Sequence, residues 1–510
     1  MAKSPLVEEP GKPDESPPPP LSRNLITYAG WGVTIVAAVM TLVLVASDIL
    51  FHREQPYNAM VTYLIMPGVV GAGVGLIFLG IAVEWVRRHR SAPHYYPPLP
   101  TVDLNKDWMR RRILLGAGML TVLFGTSAVG IYQTYHYTES TEFCGLVCHQ
   151  VMEPEYTSYQ HSPHARVLCT ECHIGTGAEW YVRSKVDGLR QVYAMLTNTY
   201  TLPIEVPVHN LRPARDTCEQ CHWPGHFSGE MVRQIWHFSP DQANTPMRYS
   251  MLMKVGGGKP RIGEGQGEGI HWHISPDVTV RYWPTDWSRM EIPWVEVTVA
   301  DEEPQIFRAT GYEDLNPPED EIRVMDCIDC HNRPAHMFKS PRQLVDASLA
   351  EGRLSTSLPY IRRYAVEILE APYESTGEAL EAIGRELRER YAARMEGPQG
   401  RAMVERNIGW LRDLYQENFF PEHNVDWRVY PDHIGHFEFP GCNRCHAGDH
   451  YELETGITIS HDCNLCHEII EQVVGEATRQ PVSFDSEEFR HPRGMEDLWR
   501  GNNCTDCHAP

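Results

Sequence analysis

The chain has 510 residues, 67 acidic against 45 basic side chains and a formal net charge of −22. That length suggests about two to four domains, and an acidic surface of this size excludes nucleic acid as a partner, because phosphate backbones demand the opposite sign. Fourteen cysteines and 25 histidines are the unusual part of the composition.

Residues 1–25 are rich in Pro, Glu and Ser. They hold too little apolar surface to offset ordering and are expected to form a disordered cytoplasmic tail. They do not resemble a signal peptide, since the apolar run that follows is too long for one.

Three runs then reach membrane length, Ile26 to Phe51, Met60 to Val86 and Ile113 to Tyr132. About 20 apolar residues span a bilayer core, so residues 26–133 read as a three-helix anchor rather than as buried soluble helices. Arg87, Arg88, Arg90, Lys106, Arg110, Arg111 and Arg112 lie between the second and third runs, against Arg53 alone between the first two. The positive-inside rule places that basic segment in the cytoplasm. Everything after the third run then faces outward, which in a bacterium means the periplasmic side of the inner membrane. None of the three runs contains a histidine, so no b-type haem is expected between them. Gly71 and Gly75 form a G-x-x-x-G, a signal for close helix packing.

The outer part carries seven cysteine pairs, each followed directly by histidine. They are Cys144/Cys148-His149, Cys169/Cys172-His173, Cys218/Cys221-His222, Cys327/Cys330-His331, Cys442/Cys445-His446, Cys463/Cys466-His467 and Cys504/Cys507-His508. Six have the spacing C-x-x-C-H, the attachment signature of c-type haem, in which two thiols bond the porphyrin and the next histidine ligates iron. Residue frequencies alone would place about 0.02 such motifs in the chain. The seven pairs use every cysteine. Zinc sites do not require a histidine after each second cysteine, and a disulfide framework has no reason for such uniform spacing. Seven c-type haems are therefore expected.

Residues 134–235 carry haems 1–3. Residues 236–325 alternate in the manner of strands at Met247–Val255, Ile270–Ser275, Val278–Trp283, Met290–Val299 and Gln305–Arg308, predicting a small β insertion of four or so strands. The fourth motif occupies 326–340. Residues 341–420 lack cysteine and histidine and show helical periodicity. There Ser375 and Glu378 suggest a capping box, and Leu380, Ile383, Leu387 and Tyr391 share one face. Residues 421–510 hold haems 5–7. The expected fold is mainly α, with little regular structure around the haems.

Pure electron transfer wants two axial ligands on each iron. Fifteen non-motif histidines lie on the haem side for at most seven second ligands. The candidates are His161, His164, His209, His271, His273, His336, His433, His436, His450, His461 and His491. His271 and His273 are expected to share one face of a strand. The first motif differs, with an extra residue and Met152 close by. Met152 either ligates that iron or packs on the porphyrin.

An anchor followed by a methionine-flanked first haem site resembles the NapC/NirT family of membrane-anchored quinol dehydrogenases. The likeness rests on Cys169-Thr-Glu-Cys172-His173 with Lys185 downstream, and on Arg212-Pro-Ala-Arg215-Asp-Thr-Cys218-Glu-Gln-Cys221-His222-Trp-Pro224. It covers roughly residues 110–230. Beyond that stretch, seven motifs and three helices resemble the inner-membrane heptahaem cytochromes of metal-reducing bacteria. The resemblance implies oxidation of a membrane quinol, menaquinol included, near haem 1. Lys185 would then help bind the quinol oxygen. The family also places an acid beside that haem, and Asp187 is the nearest here, at a spacing that departs from the family's. Arg212 and Arg215 are expected to pair with haem propionates.

The expected partners are the membrane quinol pool, the lipid bilayer, and periplasmic multihaem cytochromes or a reductase. Two other readings compete with a quinol-oxidising enzyme. One is an electron-transfer subunit fed by another protein's quinol site. The other is a terminal reductase with one open haem, which the surplus of histidines disfavours.

Overall fold

The computed structural model describes residues 20–51, 66–91, 103–147, 149–174, 178–204, 213–223, 227–256, 269–475, 486–492, 500 and 502–508. Most of the expected N-terminal tail, residues 1–19, lies outside them. The structure divides into two units, Met1–Val147 and Cys148–Pro510.

In the first unit, the three apolar runs form helices α1 (Leu25–Phe51), α2 (Met66–Ser91) and α3 (Asp107–Thr138). Leu25–Ala46 and Met66–Arg90 are long and apolar enough to cross a membrane. The helices outrun the apolar segments, so His89 and His136 fall in the last turns of α2 and α3. Residues 60–65, the start of the second expected run, lie outside the described residues.

α1 and α2 pack closely, though not at the glycines of the G-x-x-x-G. Gly71 and Gly75 face open space. A Cβ on Gly73 would meet the Thr34 nitrogen at 2.8 Å, one on Gly80 the Thr27 nitrogen at 2.6 Å, and one on Gly30 the Ile77 nitrogen at 2.7 Å. Positions 73, 77 and 80 lie on one helical face, whereas 71 and 75 are turned away from it. Asn24 ties the pair at one end, accepting from the Thr27 amide at 2.8 Å and donating to the Gly80 carbonyl at 3.0 Å.

The second unit begins with α4 (His149–Gln160), α5 (Cys169–His173), α6 (Ala178–Thr197) and α7 (Ala214–Cys218). Two antiparallel sheets follow. The first orders β1 (Met231–Phe238), β2 (Pro246–Met253) and β8 (His467–Val474). The second orders β6 (Arg323–Val324), β3 (Val278–Trp283), β4 (Trp294–Val299), β5 (Gln305–Ala309) and β7 (His450–Glu452). The strands are thus not confined to a single insertion. β1 starts before the expected boundary, and β7 and β8 come from the C-terminal haem region. β3 alternates as a half-buried strand should: Val278, Val280 and Tyr282 are buried against Ile292, Val295, Phe307 and Met325.

One expected strand is absent. Ile270–Ile274 is a single 3-10 turn, entered through Gly269 at φ +131°. A Cβ there would lie 2.6 Å from the Lys254 carbonyl oxygen and 2.8 Å from that of Gly256. The Ile270 and His271 amides donate to those same two carbonyls. The end of β2 therefore captures this segment as a turn, and no strand partner remains for it.

The short helix α8 (Cys327–Cys330) precedes the cysteine-free stretch. That stretch forms α9 (Pro341–Ala350), α10 (Ile361–Glu370), α11 (Thr376–Arg390), α12 (Ala392–Met395) and α13 (Pro398–Asn418). Their facing stripes make one core of Val345, Leu349, Ile361, Ile368, Ile383, Leu387, Val404, Ile408 and Leu411 with their neighbours. Ser375 caps α11 by accepting from the Glu378 amide at 3.2 Å. The Glu378 carboxylate, however, takes the Glu374 amide and not that of Ser375, so the box is half formed. A last short helix, α14 (Thr505–His508), carries the seventh motif.

Candidate haem centres

The motifs sit on minimal structure. Helices of four or five residues hold all or most of the motifs at 169–173, 327–331 and 504–508, Cys218 of the third motif ends the helix Ala214–Cys218, and Gly441–Arg444 and Cys463–Leu465 are 3-10 turns. One short turn brings both thiols and the following histidine to one side, which is what covalent attachment requires. Cys144 lies on the π-helix Phe143–Val147. Cys148 and the side chain of His149 lie outside the described residues, as do His209 and Arg212. Met152 lies on α4, half-buried.

The 13 described cysteines all carry free thiols, so none is drawn into a disulfide. Their surroundings are unequal. Cys172, Cys221, Cys463 and Cys507 are exposed, while Cys144, Cys169, Cys218, Cys327, Cys330, Cys442, Cys445, Cys466 and Cys504 are half-buried. Cys507 of the seventh motif is thus one of four exposed thiols among the described cysteines. It lies on the four-residue helix α14, whereas its partner Cys504 has its Sγ 3.6 Å from His436 Nδ1. Exposure is unusual for cysteine. It has a physical reason here, because a thiol that bonds a porphyrin edge needs an open face on its turn.

The histidines of the other six motifs each face a second histidine. Ring centroids are 6.2 Å apart for His173 and His336, 6.2 Å for His222 and His164, and 6.3 Å for His331 and His271. They are 5.9 Å apart for His446 and His273, 6.1 Å for His467 and His436, and 6.2 Å for His508 and His491. A metal–imidazole bond is about 2 Å long. Two imidazoles on opposite faces of one iron therefore hold their centroids about 6 Å apart. The residues present fit c-type haem at all six places.

The second histidines are also oriented. His336 Nδ1 meets the Glu155 carbonyl oxygen at 2.9 Å, His164 Nδ1 that of Pro334 at 3.2 Å, and His271 Nδ1 that of Val255 at 2.7 Å. His273 Nδ1 meets the Ile270 carbonyl at 2.9 Å and His491 Nδ1 that of Pro492 at 2.7 Å. A carbonyl on Nδ1 fixes the tautomer and leaves Nε2 for the metal. Burial lowers the pKa of His173, His273, His331, His336, His436, His446, His467 and His508. Those rings are held in the neutral form that ligates metals.

Four candidates are occupied elsewhere. The buried His433 ring lies between the Asp329 and Ser288 carbonyls, at 3.1 and 2.9 Å. Burial, with Arg444 and Arg289 alongside, pushes its pKa down to about 4. His450 meets the Ile292 carbonyl at 2.7 Å and the Asp449 carboxylate at 2.8 Å. His161 is exposed and bonded to the Thr157 carbonyl beside Glu417, and His461 packs on Gly448. Nor do His271 and His273 share a face. Two positions on a 3-10 turn lie about 240° apart, and the two rings meet different motif histidines.

Sequence reasoning missed Glu155 and Arg333. Arg333 makes bonds of 2.8 and 2.7 Å to the two oxygens of the buried Glu155 and lies over the Tyr430 ring at 3.9 Å. This pair braces the carbonyl that orients His336. An acid on an apolar helix face and an arginine two residues after a motif histidine were the only signals available.

Lys185 and Asp187 lie on α6. Lys185 stands on the same side as Leu189, Val192 and Leu196, which are strongly exposed together with Val186 and Tyr193. Asp187 is about 200° round the helix from Lys185, so no common face joins the two. Arg215 lies 3.4 Å from the Ile274 carbonyl oxygen and 4.0 Å from Glu219.

Membrane-length helices followed by thiol-histidine turns and facing histidines define a membrane-anchored multihaem c-type cytochrome. Residues 107–207 match the model of the NapC/NirT cytochrome c family, N-terminal region. The chain is 41% identical over 495 residues, 95% of both chains, to the cytochrome c-type protein ImcH of Geobacter sulfurreducens. It is 34% identical over 89 residues to the cytochrome c-type protein NrfH of Wolinella succinogenes, covering 17% of this chain and 50% of that one. No solved structure matches. The chain belongs to the NapC/NirT family, as an ImcH-like member.

Proposed function

We propose that this protein oxidises menaquinol at the outer face of the bacterial inner membrane and passes the electrons through seven c-type haems to periplasmic cytochromes or a reductase. Helix α6 carries the quinol part of this reading. An exposed apolar stripe headed by one half-buried lysine suits a surface that meets lipid and a quinol head group together. Lys185 donates a hydrogen bond to a quinol oxygen there, as the family resemblance implies. Oxidation releases two protons and two electrons from each quinol, and an acceptor for the protons must lie within reach. Asp187 is the nearest acid in sequence and faces round the helix.

Bound c-type haem supplies one-electron carriers. The chain's own residues hold them: two thiols and the motif histidine on one side, and His336, His164, His271, His273, His436 or His491 on the other. With both positions filled, these six irons offer no site to a substrate, which suits relay over reductase chemistry. Arg215, three residues before Cys218, pairs with a haem propionate in this reading. The third helix completes the anchor and puts the haem-bearing unit on the periplasmic side, as the basic segment before it argues.

The test is to mix oxidised holoprotein with a menaquinol analogue and follow haem absorbance. Haem reduction is expected, slowed at least tenfold in Lys185→Ala, with reduction by dithionite unchanged. No reduction by the quinol alone would instead make the protein a subunit fed by another protein's quinol site. Mass spectrometry of the mature chain should show seven added porphyrins, the seventh of them on the peptide that holds Cys504 and the exposed Cys507.

A further inference from the structure

Two of the six histidine pairs arise from one turn. The 3-10 turn Ile270–Ile274 sends His271 to His331 of the fourth motif and His273 to His446 of the fifth. In sequence the whole helical block lies between those motifs. We propose that this turn is a two-iron staple: His271 is the second ligand of haem 4, His273 is the second ligand of haem 5, and one short segment clamps the two centres side by side. The proposal rests on the bis-histidine reading above and deepens it.

The turn is built to hold two rings rigidly. Gly269 supplies a backbone angle that other residues rarely adopt, and the Lys254 and Gly256 carbonyls take the Ile270 and His271 amides at 2.8 and 3.0 Å. Each ring has its own brace, the Val255 carbonyl for His271 and the Ile270 carbonyl for His273. Phe227 stacks on His271 at 4.1 Å. Between the two histidines, Trp272 packs into the five-stranded sheet's core together with Cys445. The two motifs also touch directly. The Arg444 guanidinium donates to the Asp329 carbonyl at 2.8 Å, joining the interior of the fifth motif to that of the fourth. Haems 4 and 5 are then the junction between the N-terminal and C-terminal haem groups, and the sheet that carries no motif of its own sets their spacing.

The ring planes give the two centres different spectra. His271 and His331 are nearly parallel at 10°, whereas His273 and His446 are nearly perpendicular at 86°. Low-spin ferric haem with parallel imidazoles gives a rhombic electron paramagnetic resonance signal. Perpendicular imidazoles give a strongly anisotropic signal with one large g value. The experiment uses oxidised holoprotein without quinol, so that its failure leaves the quinol reading standing. In His271→Met one rhombic signal should vanish, and in His273→Met one large-g signal, each replaced by a histidine–methionine charge-transfer band in the near infrared. Gly269→Ala drives a Cβ into two carbonyls and should alter both signals together while the remaining ones persist. An unchanged spectrum in either methionine variant, or loss of the same signal in both, would overturn the staple. If neither methionine variant accumulates, Gly269→Ala decides: a change in only one of the two signals, or in neither, refutes it.

Discussion

The helical block at 341–420 and the haem-bearing segments around it are built on opposite principles. The block has a continuous aliphatic core, with Val345, Ile361, Ala365, Ile383 and Leu411 at zero exposure. Each of its main helices buries a stripe set by its own periodicity. The motif helices are four or five residues long, too short to be stable alone, and some of their cysteines are exposed, Cys172 and Cys507 among them. Their histidines stand opposite second histidines at the spacing of two ligands on one iron. One region is specified by its side chains, the other by a cofactor that its side chains are arranged to receive. The largest effect that sharpens this contrast comes from expressing the chain without haem attachment. Proteolysis should then cut freely within 149–223 and 442–508, while 341–420 stays protected. Equal sensitivity of both regions would break the distinction.

Within the block the next largest effect comes from truncating the core. Leu411→Ala should cost about 2–5 kcal/mol of stability through lost burial and the cavity left behind. The haem spectra should stay unchanged, because Leu411 packs among the block's own apolar residues. Chemical denaturation followed by circular dichroism and by haem absorbance separates the two readouts. A haem spectrum that changed along with stability would show the block to be part of the haem scaffold.

The anchor gives a paired test of how small residues are used. Gly73→Val places side-chain atoms where Thr34 already stands and should cost about 1–3 kcal/mol as overpacking. Gly71→Val faces open space and should cost little. Thermal unfolding in detergent, compared between the two, reads the difference directly. Equal effects would return the packing role to the motif at Gly71 and Gly75.

The same contrast explains what was legible in the sequence. Cysteine spacing announces attachment because two thiols and a histidine are local partners, but it says nothing of which thiol stands open to solvent, as Cys507 does, and which is enclosed. The stripe Leu380, Ile383, Leu387 and Tyr391 is legible because helical periodicity is local too. The second ligands were not, since His336 lies five residues after the fourth motif yet faces the second, and His164 precedes the second motif yet faces the third. Such pairing depends on where distant turns come to rest. Ile270–Ser275 alternates like a strand, but Gly269 docks it on the Lys254 and Gly256 carbonyls and turns it. The sheets draw β7 and β8 from the far end of the chain, which no local pattern in 236–325 could reveal. In the anchor, Gly71 and Gly75 match the familiar spacing, while Gly73 and Gly80 carry the contact at a spacing that no motif names.

The smallest effect concerns Asp326, which begins the fourth motif and links the two kinds of region. Its carboxylate accepts the Ile328 amide at 3.0 Å, while its own amide donates to Asp329 at 2.7 Å. Burial and the neighbouring Asp329 charge push its pKa up to about 6, from an ordinary 3.8. The folded chain therefore binds a proton that the unfolded chain releases between these values. The stability this proton contributes is fully present below pH 3.8 and is lost as pH rises through 6. Solvent screening of this partly exposed group reduces the effect to about 1 kcal/mol. Asn keeps the capping acceptor without titrating, so Asp326→Asn should match the parent near pH 4 and exceed it by that amount at pH 7. Denaturant midpoints of both holoproteins across pH 4–7 give the difference curve. A flat difference would mean that Asp326 stays charged at pH 4, with attached haem or solvent supplying the stabilisation that its protein neighbours do not.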